Sequence, residues 1–574
     1  MILAWAILVT FLPTRYTCPL FALDHVEYCN AVQNKVGFIR YPLGTIGAWS
    51  TGSGETADVI KRTPRIYPCV TGPVLKSDKE DWRASITGDP SCLSIRYRPD
   101  KPSGASAVAI TVAPHVSVFK VTFPEDAKDR SMVLDFRKAP VDTWARLYKW
   151  TDRTVTRVDD RTLAASIGEP GKKGAFYVVR FSTSCVASGQ VTDPAAPASG
   201  APLCWYARFD VPAVTVAVAV SFSSPKQAEE FLAAEFADFD TVHARCHSAW
   251  NETLSRVEVE APEESKRMAY TALYTMVANT IDGSWGPIEN AKMTWDPNPQ
   301  GLFEGTTKDW MFAVPHDPYG LIHLPGQEGF VPRVVDYCLN DAWFNDYQEI
   351  YPYMLYYAGA ANEAQSILRN TWVPLFSQGV MYEGVRPKPP HNGWQTYYVG
   401  ASGWLLCSML GLYPGSAPAG QFLISSPSVT KVVIHNGKKD ITIETKNNDG
   451  ENIYVRSIRV DGRVYPAYMI PAQRLVAGVR IELEMSSDRT AGLGNLYLSS
   501  SDGFVRSAEL VSASHLKCTI EAAVTDAATK IYSRTKPVQI LVNGRPDSTW
   551  GYDEANKTVS IQSAGTATIE VVLM

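Results

Sequence analysis

EGTTKDWMFAVPHDPYGLIHLPGQEGF, residues 304–330, is the stretch on which the reading of this chain turns. It sets Glu304 ahead of an aromatic run, Trp310, Met311 and Phe312, and then a Pro315-His316-Asp317 turn. A glycine-punctuated helix start follows. Two carboxylates and an imidazole within fourteen residues, walled by rings, describe a pocket for something polar and flat-faced. Sugars fit, because their hydroxyls pair with Asp, Glu, His and Asn while their C–H faces stack on Trp and Tyr. A helix–turn–helix whose polar residues satisfy only backbone groups would carry the same letters.

Working outward, the 574 residues are too many for one ordinary domain. An apolar content of 45% with 20% charged residues suits a chain that buries large cores. The net charge of -5 gives no case for nucleic acid, whose binders carry basic patches. The opening MILAWAILVTFLP is an apolar run closed by Pro13 and too short to span a bilayer. It reads as the core of a signal peptide over residues 1–22, which implies a secreted, lumenal or cell-surface protein. No later stretch predicts a transmembrane helix. In that setting Cys185 and Cys204, flanking a Gly/Pro/Ala-rich loop, are the expected disulfide, with Cys29, Cys69 and Cys92 able to supply another. Cys338 and Cys407 sit in helical patterns and are expected to be buried free thiols. Asn251-Glu252-Thr253 and Asn556-Lys557-Thr558 are glycosylation sequons.

Period divides the rest. Residues 23–223 alternate in short β-branched runs between turn clusters, which predicts an antiparallel β-sandwich. At Ser224-Pro225 the period lengthens, and helical spacing is expected through KQAEEFLAAEFADFDTVHARCHSAWNETLSRVEVE and EESKRMAYTALYTMVAN. His243, Cys246 and His247 fall on this run; two histidines four apart could ligate zinc, but a solvated helix face explains them better. Helical patterns continue to Pro414. The period then returns to two for a β-domain over 415–487 and further strands over 488–574, read as added β-structure or a small appended sandwich. The expected fold class is multidomain α+β.

Five ordered motifs make the chain resemble glycoside hydrolase family 92, the calcium-dependent, inverting exo-α-mannosidases. Glu304-Gly305, nine residues, then Pro315-His316-Asp317 and Gly320-Leu321 is similar to its EG…VPHD…GL signature. Trp250-Asn251-Glu252 through Glu260, followed by Tyr270-Thr271-Ala272-Leu273-Tyr274, resembles WNE.L..I.VE and YTALY. Asn345-Asp346 with Pro352-Tyr353-Met354 and Tyr357-Ala358-Gly359 resembles NEP…PYLYNYAG, with Asp346 where the family has Glu. Ser402-Gly403-Trp404 and Ser408 through Pro414 resemble SAW…SALGFYP, and Glu451-Asn452-Ile453-Tyr454 the closing sandwich. The resemblance implies an N-terminal β-sandwich, an (α/α) toroid-like helical domain over 224–414 and a C-terminal β-sandwich. It also implies action of the α-1,2-mannosidase type on mannose-containing glycans. It casts Glu304 as general acid and Trp310, His316, Asp317, Asn345, Asp346 and Trp404 as substrate contacts. It admits calcium, for which Asn345 and Asp346 offer oxygen ligands.

Two departures matter. Inverting hydrolysis needs a second carboxylate to deprotonate water. The family carries it in an acidic cluster just before the tryptophan motif. Those positions here hold Gln395, Thr396 and Tyr397, and no Asp or Glu occurs between Glu383 and Asp440. The helical segment is also short for a full toroid. Two readings therefore stand: a hydrolase with a relocated base (Asp309 or Asp346), or a non-catalytic carbohydrate-binding or structural protein on the same scaffold.

Overall fold

The computed structural model describes residues 26, 32–33, 36–40, 48–50, 64–76, 82–136, 153–168, 174–191, 204–221, 224–278, 312, 321–322, 329–341, 350–381, 399–415, 420–436, 439–490, 492–522 and 527–574. The chain is β-rich at its N-terminal end, helical in the middle and stranded again at its C-terminal end.

The N-terminal alternating runs form two antiparallel sheets. One has eight strands, with Ala213–Ser221 and Val116–Thr122 at its centre; the other has four, centred on Ser131–Asp135 and Cys204–Arg208. Their inner faces share a core, where Phe136 meets Tyr177 edge-on at 5.6 Å. The expected Cys185–Cys204 disulfide does not form; both thiols are free and buried. The ladder explains why. Ala187 lies opposite Arg208 and Gln190 opposite Trp205, so the cysteines stand at opposite ends of one strand pair. At about 3.3 Å per residue that is roughly 20 Å, against a limit of about 7 Å between bridged Cα atoms. Cys69 and Cys92 are also free, and Cys29 and the signal-peptide stretch lie outside the described residues. Cys338 and Cys407 are buried free thiols, as their helical setting predicts.

Helix α1 (Pro225–Glu235) starts where Ser224 Oγ accepts from the Gln227 amide at 3.2 Å and proline takes the first turn. Helix α2 (Phe239–Leu254) is capped by Asp238, which accepts from the Thr241 amide at 2.8 Å. Val116, Val118, Val178, Ala217 and Ala219 of the eight-stranded sheet pack under Ala228, Leu232, Phe239 and Val242 of these helices. His243 and His247 therefore do not lie on a solvated face. Both are half-buried, His243 bonds Ser91 Oγ at 3.1 Å, and no metal-holding cluster exists among the described residues. Val257–Glu260, expected to continue the helix, is instead a strand paired with Lys431–Asn436. Four residues of Val-Glu alternation obey a period of two once Leu254 ends the helix. Of the sequons, Asn251 lies within α2 with the Thr253 side chain buried, whereas Asn556 is exposed in a turn.

The middle continues with α3 (Glu263–Ala278), α4 (Phe330–Asp336), α5 (Tyr351–Tyr357), α6 (Ala361–Ile367), α7 (Val373–Met381) and α8 (Val399–Leu410). Single π-helical turns extend α4 (Tyr337–Asp341) and join α6 to α7 (Leu368–Trp372). The second aims Arg369 at the following β-domain, where it donates to Ser426 Oγ, the Pro427 carbonyl, Asn448 Oδ1 and the Asp449 carbonyl. Burial pulls its guanidinium down to about 10, partly opposed by Asp449. Arg369→Met leaves those acceptors without their donor. It should cost about 2–3 kcal/mol, read as a lower urea midpoint.

After α8, Gly411 turns the chain at a φ of 73°, with Pro427 only 2.9 Å from where a Cβ would sit. A six-stranded sheet then takes in Val257–Glu260 as its edge strand. Residues 496–572 build a four-stranded and a five-stranded sheet of their own. That unit is tied to the preceding β-domain by the Val505 amide, which donates to Gln421 Oε1 at 2.9 Å.

Candidate functional site

Of the stretch 304–318, Phe312 is the residue the structure describes, and it is wholly buried. Its ring meets Phe330 at 5.6 Å, Tyr337 at 6.1 Å and Tyr351 at 5.4 Å, all edge-on, with the Arg333 guanidinium 5.8 Å from its centre. Edge-to-face packing of this kind satisfies the ring quadrupoles. The face of Phe312 is therefore core, not a wall open to a sugar, and the side chain works as the peg of the stretch. Glu304, Trp310, His316, Asp317, Asn345, Asp346, Gln395 and Tyr397 lie outside the described residues.

Trp404 stands on α8 and is 3% exposed. Phe376 lies 4.6 Å and Trp372 5.9 Å from it, ring to ring. Its Nε1–H has no partner among the described residues. A buried indole N–H normally finds an acceptor, so this edge, rather than a ring face, is what Trp404 can offer.

Contacts run without a break from the Phe312 peg to α8. Phe312 touches Tyr337, which opens the π turn after α4; Cys338, the next residue, gives its carbonyl to Trp372 Nε1 at 2.9 Å; Trp372 then packs on Trp404. The carbonyl freed by one π turn is met by the indole carried on the other, as such insertions commonly permit. Sequence reading passed over Trp372 because a lone tryptophan in an amphipathic helix looks like core. A polar seam runs beside this wall: Tyr353 Oη meets Ser408 Oγ at 2.7 Å, and Ser408 Oγ donates to the Trp404 carbonyl at 2.8 Å. The Tyr353 ring stacks on Tyr413 at 3.7 Å.

Among the described residues, no carboxyl is shifted upward as a general acid requires. Burial pushes the Tyr353 and Tyr356 phenols well up, so they stay protonated. The carboxyls that clearly move, among them Asp159, Asp238, Asp449 and Glu521, all move down through local hydrogen bonds. A proton donor for catalysis wants the reverse. No group of three His, Cys, Asp or Glu that could hold a metal ion occurs among the described residues.

The model of the glycosyl hydrolase family 92 catalytic domain matches residues 227–281 and 275–487. Among solved structures, the chain is similar to the family GH92 inverting mannosidase BT2199 from Bacteroides thetaiotaomicron. Identity is 16% and the TM-score 0.65, over 82% of this chain and 97% of that one. The family GH92 α-mannosidase BT3965 of the same organism matches at 12% identity and a TM-score of 0.63, over 82% and 96%. BT3965 has also been solved in complex with mannoimidazole. Comparison with curated proteins finds no match. At such identities the structures speak for the fold, and the family model speaks for the motifs strung along it. Over residues 227–487, just under half of its length, this chain matches the catalytic domain of glycosyl hydrolase family 92, on a fold like that of the GH92 mannosidases.

Proposed function

We propose that the chain is an exo-α-mannosidase-like protein of the α-1,2 type that recognises terminal mannose on glycans and has lost efficient hydrolysis. In this reading the helices over 224–414 are arcs of an (α/α) toroid, and Glu304 gives the proton to the leaving oxygen. Trp310, His316, Asp317, Asn345, Asp346 and Trp404 hold the sugar. The aromatic wall from Phe312 to Trp404 carries the proposal, because it ties the chain segment of the proposed acid to the helix that follows the family's base positions. Asn345 and Asp346 supply oxygens of the kind calcium accepts. Calcium belongs to the reading as an aid to sugar binding, and chelation should then weaken mannoside affinity. A leader over residues 1–22 would deliver the chain to the secretory lumen or cell surface.

Water attack is where the reading departs from its family. A glutamine amide takes no proton, and a tyrosine near pKa 10 is a protonated phenol at neutral pH. Gln395 and Tyr397 thus leave the attacking water without a base. That same observation favours the second reading, a secreted or surface protein that binds carbohydrate without turning it over.

The experiment pairs binding with turnover. Titration calorimetry with α-1,2-mannobiose should show saturable binding, and mannose release should be slower by about 10²–10⁴-fold than an enzyme with both carboxyls achieves. Glu304→Gln should leave binding intact and erase the residual release. Binding without any release from an α-mannoside panel selects the second reading; no binding rejects both.

A further inference from the structure

Helix α2 covers the eight-stranded sheet, and two cysteines stand at that seam, Cys92 on the sheet and Cys246 on the helix. Leu93 lies opposite Ile110, so the register sets Cys92 across from Thr111 on the same sheet face. Cross-strand partners of this kind stand about 4.5–5.5 Å apart. From the helix side, the fully buried Cys246 brings its thiol to the Thr111 side chain and the Val112 backbone. The seating of helix on sheet is fixed one turn away. His243, on the same helix face, bonds Ser91 Oγ at 3.1 Å, and Thr111 Oγ1 donates to the Ser91 carbonyl at 2.8 Å. Two thiols from elements far apart in sequence thus flank one threonine, and Cys246 lies within the field of Cys92.

We propose that Cys92 and Cys246 are a disulfide site that crosslinks the N-terminal sandwich to α2 when the protein meets an oxidising disulfide. Cys92 is half-buried and so is the thiol a small disulfide reaches first. Its thiolate attacks one sulfur of oxidised glutathione and expels the other as a thiolate, which takes a proton from water. Cys246 then loses its proton and attacks the Cys92 sulfur, displacing the second glutathione thiolate. Two protein thiols are oxidised and one glutathione disulfide is reduced to two thiols. Burial pushes the Cys92 thiol up to about 11, with the Asp89 carboxylate adding to it, and raises Cys246 further. Closure is therefore slow at neutral pH, and neither thiol reacts as an activated nucleophile.

The test uses the full chain, incubated with oxidised glutathione at pH 8, alkylated, and digested without reduction for mass spectrometry. The expected result is a Cys92–Cys246 crosslinked peptide pair, two fewer alkylatable thiols, and a higher thermal midpoint than in dithiothreitol. Cys92→Ser, at the half-buried position, should lose both the crosslink and the midpoint shift. Cys92 glutathionylated with Cys246 still alkylatable, either cysteine crosslinked elsewhere, or both thiols unreacted would each overturn the site.

Discussion

Gln395→Glu is expected to raise mannose release from α-1,2-mannobiose by about 10²–10⁴-fold, the usual worth of a positioned general base. In the proposed reading Glu304 supplies the acid and the proton acceptor is the part lacking, so restoring one carboxylate addresses the defect directly. Inverting hydrolysis asks that it stand about 6.5–9.5 Å from the acid, across a water. The family's acidic cluster spans Gln395 through Tyr397, and Tyr397→Asp is therefore the companion variant. Gain in either must vanish when Glu304→Gln is added, because the base alone cannot protonate the leaving oxygen. The first product should be β-mannose by NMR, the inverted anomer. Azide gives an independent check on the parent protein. It arrives already deprotonated, so it should form mannosyl azide through Glu304 with no base at all. If Gln395→Glu and Tyr397→Asp stay silent and azide yields nothing, Glu304 is not a working acid and the binding-only reading remains.

Much of the architecture was legible because period reports directly on which face is buried. Runs such as Val214 through Val220 alternate against a core on one side and the helices on the other. The Ser224-Pro225 pair marked a helix start since hydroxyl capping and proline's fixed φ act within a few residues. Errors came where the deciding contact is distant. Val257–Glu260 sits inside a helical run by letter count, but its partner is Lys431–Asn436, far along the chain. Cys185 and Cys204 bracket a loop in sequence, yet ladder register separates them. His243 reads as a solvent-facing polar residue until the sheet edge carrying Ser91 is laid against it. At the candidate site, local chemistry pointed to Phe312 as a sugar wall. Its burial depends on Phe330, Tyr337 and Tyr351, whose convergence no window of sequence displays.

That convergence sets the second large effect. Phe312→Ala should lower stability by about 3–5 kcal/mol, since it deletes a fully buried ring and leaves a cavity. Three aromatic edges lose their common face, and the Arg333 guanidinium loses the ring it overlies. Phe312→Leu should cost less, because a branched apolar side chain refills part of the volume. A chain of this length, with separate stranded and helical regions, need not unfold in one step. Near-ultraviolet dichroism, which follows these clustered rings, is the signal to track against urea. Trp372→Phe separates the wall's shape from its one polar joint. Ring volume is largely kept, but the Cys338 carbonyl loses its donor, at about 1–3 kcal/mol. If Phe312 is the peg of the 304–330 stretch, Phe312→Ala should also weaken mannoside binding, while Arg369→Met, destabilising through a contact elsewhere, should not. Equal loss of binding in both would mean that the sugar responds to global stability, and the peg would have no special part in it.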